Sequence, residues 1–289
     1  MATMRADTAR SPAWTEEFDR VVEPTRGLRS FRVGELWEFR ELLYFLTWRD
    51  IKVRYKQTAL GVIWAVLQPV AGMLLFTFIF GHVAKISSGG IPYPIFSYSA
   101  LLPWLFFANA VQLSSSALIV NPQLITKVYF PRIFLVMSPI LAGIVDFLLA
   151  FIVLIGLMVY YGVVPDPAGT PLLVPLALIA FLSTVGVSAW LSALNVKYRD
   201  VRFVVPFLVQ IWFFATPVVY PIRHLGEPWR AFYDLNPMVA VAEGFRWALA
   251  GGPEVSGRTF AISAASGLAL FAFGLIYFHR TEKSFADVI

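Results

Sequence analysis

Six stretches of this chain, about 60–81, 95–120, 133–161, 172–195, 203–220 and 259–278, run at or near the apolar length that crosses a bilayer. A hydrocarbon core takes roughly 20 apolar residues per helix, and every backbone polar group inside it must be satisfied by the protein. The sequence therefore predicts an all-α polytopic membrane protein with six spans. Composition points to the same solvent, because 58% hydrophobic against 14% charged residues is more apolar surface than one soluble core of 289 residues hides. The fifth stretch is short and begins beside Arg202, whose charge would snorkel to the interface, so a re-entrant segment is the other reading there.

An even number of spans puts both termini on one side, and the basic residues choose which. Of the 23 Lys and Arg, 11 precede the first span, two lie in 121–132, three in 196–202 and two after 279. The remaining five are Lys85, Arg223, Arg230, Arg246 and Arg258. The positive-inside rule then makes both termini cytoplasmic. Residues 1–34 have no apolar signal segment, and Asp7, Glu16, Glu17, Asp19 and Glu23 argue against a transit peptide. They are expected to form a disordered cytosolic tail ahead of a transmembrane domain covering 35–289.

Ahead of the first span, Leu36, Phe39, Leu43 and Leu46 recur at helical spacing, with Trp37, Tyr44 and Trp48 suited to headgroup depth. Residues 35–56 read as an amphipathic helix on the inner leaflet, with a helix packed on other protein as the plain alternative.

The polar connection "NPQLITKVYFPR", 121–132, starts with an Asn able to cap a helix and a Pro suited to the first helical position. Pro131 disfavours helix at Phe130, so a two-turn helix over about 122–129 is expected, carrying Lys127 with Arg132 just beyond. Between the fifth and sixth stretches, Asn236, Pro237 and Gly251 bracket a helix too polar to span, with Met238, Val241, Phe245 and Leu249 on one face. Glu243, Arg246 and Arg230 lie there among large aromatics, which suits a helix dipping into the outer interface; a surface loop is the alternative.

Several chemistries lack their residues. With no cysteine there is neither a thiol nucleophile nor a disulfide framework, and His82, His224 and His279 fall at span ends or in loops. Asp146 is the one ionisable residue inside a span, without a second carboxylate or an in-span cation. It reads either as a hydrogen-bonded link between helices or as a group used directly in transport. No G-x-x-x-x-G-K-[ST] loop is present, so any ATP that drives the protein is bound by another chain. Aromatics form 16% of the chain, and their faces suit lipid contact or stacking on sugar rings.

The ordered motifs "RDIKVRYKQTALGVIWAVLQP", "LPWLFFANAV", "NPQLITKVYFPR", "LNVKYRDVRF", "ATPVVYP" and "LNPMVAVAEGFRWALAG" resemble the membrane subunit of ABC-type polysaccharide exporters. Such permeases move lipid-linked O-antigen, capsule, teichoic acid or related glycans across the bacterial inner membrane. The likeness covers about 35–289. It implies a type-2 ABC transmembrane domain, homodimeric, with two ATP-binding subunits that carry ATP and magnesium; this chain would bind no cofactor.

By that resemblance, 121–132 is a coupling helix seated in the ATPase, carried by Asn121, Pro122, Leu124, Lys127, Tyr129 and Arg132. Lys197, Arg199, Asp200 and Arg202 would make a second contact. The first and fifth spans would line a channel through Trp64, Gln68, Phe76, Trp212 and Phe214, and Asn236, Glu243, Arg246 and Trp247 would belong to an outer gate. Arg49, Lys52, Arg54 and Lys56 would meet the pyrophosphate head of the lipid carrier, although topology alone also asks for basic residues there. Two rivals stand against export: a proton-coupled carrier using Asp146, and a membrane-embedded glycan-modifying enzyme.

Overall fold

The computed structural model describes residues 33–56, 61–221 and 227–285. The tail expected over 1–34 therefore lies almost wholly outside the described residues, as do Arg223 and His224. The short helix α1 (Val33–Glu38) belongs to an N-terminal unit of its own. The remainder is one helical unit: α2 (Arg40–Lys56), α3 (Gly61–Phe76, prolonged by a π-helical end to Val83), α4 (Tyr93–Val120), α5 (Pro122–Lys127) and α6 (Ile133–Tyr161). It continues with α7 (Leu173–Lys197), α8 (Val201–Phe214), α9 (Glu227–Asp234), α10 (Pro237–Ala250) and α11 (Gly257–Thr281).

Among the described residues, five helices are long and apolar enough to cross a membrane, and they coincide with the first, second, third, fourth and sixth expected stretches. The fifth differs. Helix stops at Phe214, and 14 residues give about 21 Å of rise against a hydrocarbon core of about 30 Å. Pro217 explains the early stop, since it brings no amide to the helix and disfavours helical geometry at Thr216. The residues expected to finish the span, Thr216 to Val219, instead form a buried turn.

Helix α4 is the hub, touching α3, α6, α7, α8 and α10. It is buried on almost every side, whereas α3, α6 and α11 keep most of their apolar surface outward, as lipid-facing helices do. The tightest pair is α7 with α11. A Cβ on Gly186 would strike the backbone of Leu270 and Phe271, and one on Gly274 would strike the backbone of Gly186. Glycine here is a demand of backbone approach, the device by which membrane helices gain contact without a hydrophobic driving force.

Helix α2 departs from the single-stripe expectation. It packs along α6 with Leu46 buried, while Tyr44, Phe45, Trp48 and Val53 stay exposed, so apolar groups occupy more than one side. The side chain of Leu36 lies outside the described residues. Polar teeth hold this packing: Ser138 Oγ donates to Asp50 Oδ2 at 2.7 Å, and further along Arg54 and Tyr55 both donate to Asp146.

Candidate functional site

At one end of the bundle, α4 leads into α5. Asn121 does not cap it as expected: its Nδ2 turns back to donate to Ala117 O at 2.8 Å, and its Oδ1 accepts from Arg49 Nη1 at 3.2 Å. The guanidinium of α2 has taken the oxygen that a cap would use. Pro122 holds the first helical position, and the helix ends at Lys127 instead of running to 129, because Val128 is extended. Ile125 and Phe130 are buried and anchor the segment. Lys127, Val128 and Tyr129 project outward, with Tyr129 78% exposed, and Leu124 is half-buried. Arg132 turns the other way, bonding the backbone carbonyl of Glu282, whose carboxylate also meets His279 at 3.1 Å.

The α7–α8 turn lies at the same end. Buried Asn195 donates from Nδ2 to Ser115 O at 2.8 Å, which ties the last turn of α7 to α4 just before α5 begins. Lys197, Arg199, Asp200 and Arg202 are exposed around the turn, with Lys197 over the Tyr198 ring and Arg202 over the Phe203 ring. The two helices that lead into these exposed polar segments are thus joined by a buried amide within their wider packing.

The four basic residues expected to meet the carrier head, all on α2, divide. Arg49 pairs with Asp50 at 2.8 Å, Arg54 pairs with Asp146, Lys52 sits 5.3 Å over Trp48, and Lys56 is exposed. The partner that the sequence did not find for Asp146 within the spans comes from α2. Burial first, then the Asp146 carboxylate, push the Tyr55 phenol well above its ordinary value.

The five channel-lining candidates fall in two places. Trp64 and Gln68 line a cleft of about 380 Å³ between α3, α4, α6 and the end of α2. Phe76 stacks on Phe213 at 5.6 Å, and Phe107 meets Trp212 edge-on at 5.0 Å, forming an aromatic joint of α3, α4 and α8 that leaves Phe214 exposed. The cleft also holds Asn109, Gln112, Phe106 and Phe147, residues passed over when only ionisable groups at membrane depth were sought. Carboxamides within apolar runs were the signal that would have found them.

Around α10 the expected boundaries hold: Asn236 Oδ1 accepts from Met238 N at 3.0 Å, Pro237 starts the helix, and Gly251 ends it with φ 66. Its surroundings differ from a helix dipping into lipid, for nearly every residue is buried in protein. Arg246, 2% exposed, donates to the carbonyls of Phe96, Pro217 and Val218 and lies 3.8 Å over the Phe96 ring. Burial pulls its guanidinium down to about 10, with Glu243 opposing. Asn236 also accepts from Trp212 Nε1 at 2.9 Å and donates to Thr216 Oγ1 at 2.9 Å, while Trp247 Nε1 donates to Asp166 at 3.0 Å. Helix α10 is therefore locked to the end of α8.

Residues 41–250, from α2 through α10, match the model of the ABC-2 type transporter family. The chain belongs to the ABC-2 transporter membrane family. Within it, the chain is 33% identical over 263 residues to the O-antigen export system permease protein RfbA of Myxococcus xanthus, covering 89% of this chain and 98% of that protein. It is 29% identical to a protein of the same name from Klebsiella pneumoniae over 90% of this chain and 98% of that one. It is 23% identical to the polysialic acid transport protein KpsM of Escherichia coli over 82% and 92%. As an ABC-2 family member it is a multi-pass, non-catalytic transport subunit of an ABC exporter, which sets aside the enzyme reading.

Proposed function

We propose that this chain forms the channel of an ATP-driven exporter that moves a lipid-linked polysaccharide outward across the bacterial inner membrane. Two copies would assemble with two ATP-binding subunits, which hold the ATP and magnesium, and both termini would face the cytoplasm. The observation that carries this reading is α5 with the extended residues that follow it, which present Lys127, Val128 and Tyr129 outward at the end of α4, the helix that Asn195 joins to the end of α7. A buried anchor under an exposed cationic and aromatic tip suits a peg that follows a partner's groove. The saccharide substrate is argued from the relatives named for O-antigen and polysialic acid transport and from the aromatic surfaces of α3 and α8. The proton-coupled alternative loses its motive where Asp146 is matched by Arg54 and Tyr55.

The test is co-purification of the chain with a candidate ATP-binding subunit, comparing the wild type with a Lys127→Glu, Tyr129→Ala double variant. The expected result is a stable complex in the wild type and loss of the partner or of ATP hydrolysis in the variant. A variant that assembles and hydrolyses like the wild type sinks the coupling role of α5.

A further inference from the structure

Three carboxamides, Gln68 of α3 with Asn109 and Gln112 of α4, face the cleft, and none of their side chains has a hydrogen-bond partner among the described residues. Asn109 lies 11 residues before the end of α4, about 17 Å into a helix that crosses a membrane. An unpaired amide at that depth is expensive in hydrocarbon, so it is retained where something polar meets it. The apolar walls of the same cleft are Trp64, Phe106 and Phe147, with Phe106 and Phe147 in edge contact at 5.9 Å. Its volume, about 380 Å³, falls within the range of small-ligand sites.

The charges at the cleft's end cancel, because Arg54 is bonded to Asp146, which also takes the Tyr55 hydroxyl. That matters for the choice of ligand. A phosphate has acceptors only and asks for donors and positive charge, whereas carboxamides offer a donor and an acceptor together and match hydroxyls, which do both. Aromatic walls suit the C–H faces of a sugar ring.

From this geometry we infer that the cleft is a binding site, within a single protomer, for the uncharged sugar ring of an amphiphile lying in the membrane. Gln68, Asn109 and Gln112 would bond its hydroxyls while Trp64, Phe106 and Phe147 pack against its faces. The inference rests on the saccharide substrate proposed above and adds a place where a single sugar is held beside α3 before it meets a second copy of the chain.

The test uses the permease assembled with its ATP-binding subunit in lipid nanodiscs, and a decyl glucoside carrying a diazirine in its alkyl chain. Labelling of α3, α4 and α6 peptides is read by mass spectrometry, with octyl glucoside or decyl phosphate as competitor. Saturable labelling that octyl glucoside displaces and decyl phosphate does not is the expected result. An Asn109→Leu, Gln112→Leu double variant should weaken it about tenfold and Gln68→Leu about threefold, as losses of one or two modest hydrogen bonds would. Gln68 is exposed, so its replacement reports even where the double variant fails to assemble. Equal displacement by decyl phosphate, or labelling unchanged by Gln68→Leu and the assembled double variant, overturns the site. Export of glycan by the wild type is measured in parallel: intact export without saturable glucoside labelling defeats the cleft alone, while absent export in a hydrolysing complex defeats the export reading.

Discussion

Asn195 Nδ2 donates to the Ser115 carbonyl at 2.8 Å in a fully buried position, so the ends of α4 and α7 are joined where each leaves the bundle toward an exposed polar segment. The other side-chain atom, Oδ1, has no hydrogen-bond partner among the described residues, so the donor is what the amide contributes here.

Replacing that donor should therefore loosen the joint without emptying the space. Asn195→Asp sets an acceptor against the Ser115 carbonyl at almost unchanged volume, and leaving a buried polar group unmatched costs about 1–3 kcal/mol. We expect the purified complex to retain ATP hydrolysis while glycan export per ATP falls; equal losses of both would show a folding defect instead of lost coupling.

Arg246 invites a different comparison. Its guanidinium reaches three carbonyls on two segments and stacks on Phe96, geometry that a lysine ammonium does not reproduce. Arg246→Lys should thus lower the thermal midpoint of the detergent-solubilised protein nearly as much as Arg246→Met, both by several degrees. If lysine restores the wild-type midpoint, charge alone is what the site needs.

What the sequence makes legible here is set by how local the cause is. Gly61–Val83, Tyr93–Val120 and Ile133–Tyr161 follow from hydropathy, and the start and stop of α10 follow from Asn236, Pro237 and Gly251, because each signal lies within the element it controls. Asn121 shows the limit. Its cap was expected from its neighbours, yet Arg49, 72 residues away, claims its oxygen. The docking of α2 likewise depends on Asp50 with Ser138 and Arg54 with Asp146, pairs 88 and 92 residues apart. Arg246 was expected at a lipid interface since no local pattern reveals three carbonyls waiting for it. In α8 the information was present in Pro217, but apolar composition outweighed it in the reading of a span to residue 220.

The α7–α11 contact tests backbone approach directly. Gly274→Ala places a methyl against the backbone of Gly186, and no side chain is there to yield. The two helices must then separate, with loss of close packing along 173–197 and 257–281. We expect Gly274→Ala to reduce the monodisperse fraction on size exclusion sharply. Gly156→Ala, at a position where a Cβ meets nothing within 4 Å, should behave like the wild type.

The Arg54–Asp146 pair predicts a non-additive cycle. Each residue is only about a quarter exposed, 26% and 25% for the side chains, so removing one partner leaves the other charge poorly solvated. Asp146→Leu should destabilise strongly, because Arg54 and the Tyr55 hydroxyl then both lose the carboxylate they bond; Arg54→Leu should do the same through the carboxylate. The double variant removes both charges at once and should be more stable than either single one, with a coupling of about 1–3 kcal/mol between neighbours. Thermal unfolding of the four proteins measures it. Additive losses would mean that the two side chains act independently, and α2 would then be held on α6 by Asp50, Ser138 and the buried Leu46 rather than by the ion pair.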